Sequence, residues 1–144
     1  MKLKDITKIK GREVFSVKPG AGLAEAVDKL VKHNIGALPV CEADGKLAGI
    51  LSERDILKWV YKGKTNISSA KVKDIMTKDV VVGSLEDEIE GVLKKMSEKG
   101  VRHLPIISGD NIVGMLSLRD VIEEQLNECN LQVRNLHDYI SPHH

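Results

Sequence analysis

The chain has 144 residues, 42% of them apolar and 30% charged, enough for one globular domain or two small ones built around a shared core. Its 22 basic and 21 acidic residues leave a formal net charge of +1, and only 3% of its residues are aromatic. Neither a field that would attract nucleic acid or an anionic membrane nor a base-stacking surface is expected.

No apolar run approaches the length of a membrane span, and the basic start, Met1-Lys-Leu-Lys-Asp-Ile, lacks the apolar stretch of a secretory leader. Cys41 and Cys129 form no Cys-x-x-Cys pair and have no metal-ligand spacing, so reduced thiols and a cytoplasmic location are expected.

In chain order, Lys2, Lys4, Lys8, Lys10 and Arg12 alternate with Leu3, Ile6 and Ile9, which predicts an N-terminal helix with a solvated basic face. A short strand around Val14 and Phe15 precedes a helix in which Leu23, Ala26, Val27 and Leu30 form one apolar stripe. Asn34 suits a left-handed cap. Leu38-Pro-Val-Cys41 then reads as a strand, residues 42–46 as a polar turn and residues 47–51 as the second strand of a hairpin. A further helix opens at Ser52. Polar residues 61–70 read as a linker.

The succession then repeats. Residues 80–106 align with residues 14–40 without a gap at an offset of 66. After a one-residue gap, Gly114-Met-Leu-Ser-Leu-Arg-Asp120 matches Gly49-Ile-Leu-Ser-Glu-Arg-Asp55. Ile89, Val92, Leu93 and Met96 repeat the helical stripe, Gly100 stands in the place of Asn34, and Leu104-Pro-Ile-Ile107 repeats the strand. Met76 and Met96 are assigned to the core. Each unit is strand, helix, strand, strand, helix; one alone would be marginal, and two can bury their sheets against each other.

With both Gly-x-x-Ser-x-x-Asp segments in register, and with Asp74-Ile-Met-Thr77 leading into the second copy, the sequence resembles the tandem CBS-domain pair, or Bateman module, over about residues 10–124. The resemblance implies an α/β fold of two pseudo-symmetric β-α-β-β-α repeats, packed sheet to sheet around a shared nucleotide cleft. It divides the chain into a first repeat with the N-terminal helix (1–62), a linker (63–73), a second repeat (74–128) and a C-terminal tail (129–144). It also implies a regulatory ligand: AMP, ADP, ATP or S-adenosylmethionine, with no cofactor required.

Carried over residue by residue, the resemblance assigns ligand binding to Ser52, Arg54 and Asp55 in the first turn and to Ser117, Arg119 and Asp120 in the second. The strand-entry positions are Gly36 and Ala37, then Arg102 and His103. The opening strand of each repeat is expected to line the pocket whose aspartate comes from the other, placing Thr77 and Val80 near Asp55, and Val14 and Phe15 near Asp120.

The chemistry suits these residue types. The first amides of a helix have no internal partner and carry the positive end of its dipole, a seat for phosphate to which Ser and Arg add donors. A carboxylate three residues on can accept from two ribose hydroxyls. Taken alone, Ser-x-x-Asp is equally a capping box; two copies in family register favour ribose. Because Gly36-Ala37 stands where the second repeat has Arg102-His103, phosphorylated ligands are expected to prefer the Asp120 pocket, although Arg102 could also reach a phosphate on the Asp55 side.

No triad, metal cluster or Walker-type loop is present, and Arg54 and Arg119 are expected to keep both aspartates ionised rather than poised for acid–base work. A ligand-sensing module acting on an unknown effector in trans is therefore the leading reading. A structural or dimerisation module with an empty cleft is the alternative, and a small nucleotide enzyme is the third. A homodimer is expected because Leu126, Leu131, Val133, Leu136 and Ile140 would be wasted on a disordered tail. His143 and His144 read as native residues or the stub of a tag.

Overall fold

The structure, a computed structural model, describes residues 1–6, 9, 12–64 and 66–140. Lys8, Lys10, His143 and His144 lie outside the described residues. Among those described, no helix is long and apolar enough to cross a membrane.

The first repeat contains helix α1 (Leu23–Lys32), the antiparallel hairpin β1 (Ala37–Cys41) and β2 (Leu47–Ser52), and helix α2 (Glu53–Tyr61). The second contains β3 (Gly83–Ser84), α3 (Ile89–Lys99), the hairpin β4 (His103–Ser108) and β5 (Asn111–Ser117), and α4 (Leu118–Ile140). β3 runs parallel to β4; in the first repeat its counterpart is a single parallel bridge from Val17 to Val40.

The offset of 66 recurs in the hydrogen bonds. Lys29 Nζ donates to the Ser16 carbonyl at 2.8 Å, and Lys95 Nζ donates to the Val82 carbonyl at 3.0 Å. Both hairpins slip register at equivalent points, Val40/Cys41 and Ile106/Ile107. The one-residue gap of the alignment falls in the hairpin turns. Helix ends also follow the sequence: Asn34 (φ 51°) and Gly100 (φ 66°) both adopt the left-handed conformation.

Two apolar cores result, one per repeat. Leu23, Ala26 and Leu30 of α1 pack with Val17, Leu38, Val40 and Leu51. Ile89, Val92 and Met96 of α3 pack with Leu104, Ile106, Leu116 and Val121. Met96 is buried, and Met76 packs against the first core from its edge.

Each core is completed by the segment that precedes the other repeat. Lys2-Leu-Lys-Asp-Ile6 and Lys71-Val-Lys-Asp-Ile75 are a further pair of matching sequences. Leu3 and Ile6 are fully buried in the second repeat's core, whereas Val72 is fully buried in the first. The backbone contacts correspond: Leu3 N donates to Asp87 O and Lys4 N to Leu85 O, as Val72 N does to Ala21 O and Lys73 N to Pro19 O. Burying each such side chain stabilises the fold by about 1.5–3 kcal/mol, so the repeats hold each other together.

One expectation is corrected at the start of the chain. Among the described residues, the start of the chain forms a 3-10 turn at Leu3–Asp5 where a helix was expected, and Lys2 and Lys4 are not merely solvated but pair with Glu86. The tail from residue 129 is the continuation of α4 as far as Ile140.

Candidate functional site

Both Ser-x-x-Asp segments fold as strand-to-helix turns with reciprocal caps. At the start of α2, Asp55 N donates to Ser52 Oγ at 3.2 Å, and Ser52 N donates back to Asp55 Oδ2 at 2.9 Å. At the start of α4, Asp120 N donates to Ser117 Oγ at 3.0 Å, and Ser117 N donates to Asp120 Oδ2 at 3.1 Å. The capping bonds fix both carboxylates in the linings of two cavities.

The cavity at Asp55 has a volume of about 390 Å³ and the one at Asp120 about 450 Å³, each within the range that holds a small ligand. Each draws its wall from both repeats. Thr77 and Val80 line the Asp55 cavity, and Val14 and Phe15 line the Asp120 cavity. Thr77 is held there by paired backbone bonds with Ile50, and its hydroxyl donates to Asp55 Oδ1 at 3.0 Å.

The corresponding donor to Asp120 is one that sequence reasoning missed. Arg12 reaches across from the N-terminal segment, and its Nη1 lies 3.1 Å from Asp120 Oδ2. Burial pushes the Asp120 carboxyl up, but the Ser117 amide and hydroxyl and the Arg12 guanidinium outweigh it, leaving it below its ordinary value. His33 was also missed; its ring stacks on Phe15 with centroids 3.7 Å apart and forms one wall of this cavity. Lys58, one turn beyond Arg54 in α2, adds a cation to the Asp55 cavity.

Gly36 and His103 belong to both cavities. A Cβ at Gly36 would lie 2.8 Å from His103 Nε2, so the glycine leaves the space that the imidazole fills. Burial lowers the His103 pKa, Glu53 and Asp120 oppose this, and Arg102 reinforces it. Its charge therefore appears at lower pH than that of an unperturbed imidazole. Ala37 lines only the Asp120 cavity.

Two assignments need correction. Arg102 lines the Asp55 cavity and not the Asp120 cavity. With Arg54 and Lys58 it gives that side three cations, beside the carboxylates of Glu53, Asp55 and Asp79, whereas the Asp120 cavity has Arg12 beside Glu13 and Asp120. Arg119 is 87% exposed, lines neither cavity and pairs with Glu123 one turn along α4 at 3.2 Å. Arg54 has Lys58 at that spacing instead, and like charge gives it no reason to fold back along the helix. Arg12, not Arg119, is the arginine that holds Asp120 ionised.

The CBS domain family model matches residues 3–62 and 72–127, nearly the whole chain, in two consecutive copies. The chain belongs to the CBS-domain family. An uncharacterised 17.7 kDa relative from Acidianus ambivalens is 35% identical over 128 residues, which cover 88% of this chain and 76% of the relative. The inosine-5'-monophosphate dehydrogenase of Methanocaldococcus jannaschii is also 35% identical over 115 residues, but these cover 79% of this chain and only 22% of that enzyme. The likeness thus spans a small part of the dehydrogenase. Among solved structures, the CBS domain pair of protein MJ0100 in complex with 5′-methylthioadenosine and S-adenosyl-L-methionine superposes with a TM-score of 0.78 at 26% identity, covering 89% of this chain and 98% of that one. CBS-pair architecture follows for this chain.

Proposed function

We propose that this CBS pair is a cytoplasmic sensor of adenosine-containing small molecules, which bind in the cavities at Asp55 and Asp120 and alter how the protein engages an effector in trans. The observation that carries the reading is that each cavity has a fixed carboxylate at the start of a helix, facing an opening segment from the other repeat. In this reading Asp55 and Asp120 take the ribose hydroxyls, Ser52 and Ser117 with the first helical amides face phosphate, and Arg54, Lys58 and Arg102 serve the phosphorylated ligand on the Asp55 side. Arg119 has no part in it.

The choice among AMP, ADP, ATP and S-adenosylmethionine follows from how the ligand's charge matches a lining in which those three cations stand beside Glu53, Asp55 and Asp79. The MJ0100 pair, solved with methylthioadenosine and S-adenosylmethionine, supports the adenosine class. The role is binding and not catalysis. A homodimer is the assembly we assign to it. Mass spectrometry of small molecules that co-purify, followed by thermal shift, tests the reading: a ligand at 100 times its Kd adds about 2.7 kcal/mol of stability.

One observation favours a second reading, a structural module with an empty cleft. Both carboxylates already have partners, Asp55 in Ser52 and Thr77 and Asp120 in Ser117 and Arg12. That module would show no shift with any nucleotide.

A further inference from the structure

Residues 129–140 of α4 are exposed on every side. Along one face, Ile122, Leu126, Cys129, Val133, Leu136 and Ile140 follow one another at intervals of four, three, four, three and four residues. A helix that faces a globular core needs a broad apolar stripe. A strict period of 3.5 is instead a narrow seam that fits a second helix wound around it. The five large residues of this seam are between 43% and 69% exposed.

The flanks suit a second copy of the same helix. Beside the seam stand Glu123, Gln125, Asn130, Gln132, His137 and Tyr139, of which only Glu123 is formally charged at neutral pH. Two identical helices therefore meet almost no like-charge repulsion along the positions that decide pairing. The seam is about 27 Å long. Burying it against its twin removes on the order of 1,000 Å² from water, the size at which an interface becomes specific.

We infer that α4 is the dimerisation element: its 122–140 face pairs with the same face of a second copy as a two-stranded coiled coil, with Cys129 in a central layer. This deepens the homodimer assigned above and rests on it.

Light scattering on the full chain at tens of micromolar, with circular dichroism to confirm folding, tests it. The wild type is expected at twice 15.9 kDa. The variant carrying Val133→Glu and Leu136→Glu is expected at 15.9 kDa. Leu131→Glu is the control, because Leu131 is 51% exposed but lies off the seam, and it should remain a dimer. A monomeric wild type overturns both the dimer and the seam; a dimer that survives the double substitution, or is lost in the control, overturns the seam alone. Oxidation provides an independent check, since Cys41 is buried and Cys129 exposed. Cys129 closes a disulfide with its own copy in a parallel coil or, in the Val133→Cys variant, with position 133 of the other copy in an antiparallel one. A dimer in which neither pair closes contradicts the coil.

Discussion

The guanidinium of Arg12 donates to the Asp120 carboxylate across 3.1 Å, joining residues 108 positions apart and occupying an oxygen that a ribose would use. Thr77 meets Asp55 in the corresponding way, so both carboxylates are held by a donor from an opening segment. The two donors differ in charge, and this difference separates the two cavities.

Arg12 competes with a neutral nucleoside for Asp120. The pair is only partly shielded from solvent, with the Arg12 side chain 44% exposed, so its worth is below about 1 kcal/mol. Arg12→Ala is expected to tighten adenosine binding at Asp120 by about two- to fivefold in calorimetry. Weaker binding would make Arg12 a ligand contact instead.

Phosphate should be felt on the other side. Arg102, Arg54 and Lys58 line the Asp55 cavity. Arg102→Ala is expected to cost AMP about 1.5–3 kcal/mol, the value of a charge-assisted hydrogen bond, and to leave adenosine unchanged. An equal preference for AMP over adenosine in both proteins would remove Arg102 from the phosphate site.

The cross-packed N-terminal segment sets the pattern of unfolding. Leu3 lies outside the second repeat in sequence yet is fully buried in its core. Leu3→Ala should therefore destabilise the whole chain by about 2–5 kcal/mol, and urea should unfold the protein in one transition. Two separate transitions would mean that the repeats are independent.

Much of this was legible in the sequence. The helical stripes, the hairpins and the left-handed caps at Asn34 and Gly100 follow from spacing and residue type, and the duplication reinforced each of them. The exchange of Leu3 and Val72 was not legible, because Lys-Leu-Lys-Asp-Ile and Lys-Val-Lys-Asp-Ile fit either core equally well. Arg102 stands just before β4 and lines one cavity, while His103 opens the strand and lines both; that division depends on how the two repeats pack, which the local sequence does not state. For Arg119 the signal was present, since Glu123 stands four residues on and draws it along the helix.

Acid should act through two groups. The folded Asp120 carboxyl lies below its ordinary value, so its contribution is complete above about pH 4 and is lost as pH falls through the folded value. The folded His103 imidazole also lies below its ordinary value, so the unfolded chain takes up that proton first and stability falls as pH drops below about 6.5. In urea midpoints measured against pH, Asp120→Asn should flatten the acidic limb and His103→Gln the limb near pH 6. Curves parallel to wild type in both variants would contradict this.

The most direct measurement is calorimetric titration of AMP, ATP and S-adenosylmethionine into wild type, Asp55→Ala and Asp120→Ala. At least one ligand is expected to bind wild type, and each substitution should weaken it at its own cavity by about 1.5–3 kcal/mol while costing the fold only about 1 kcal/mol of helix cap. Absence of binding by all three to wild type at millimolar concentration, or affinities unchanged in both variants, would reduce Asp55 and Asp120 to helix caps and contradict the assignment of a nucleotide sensor.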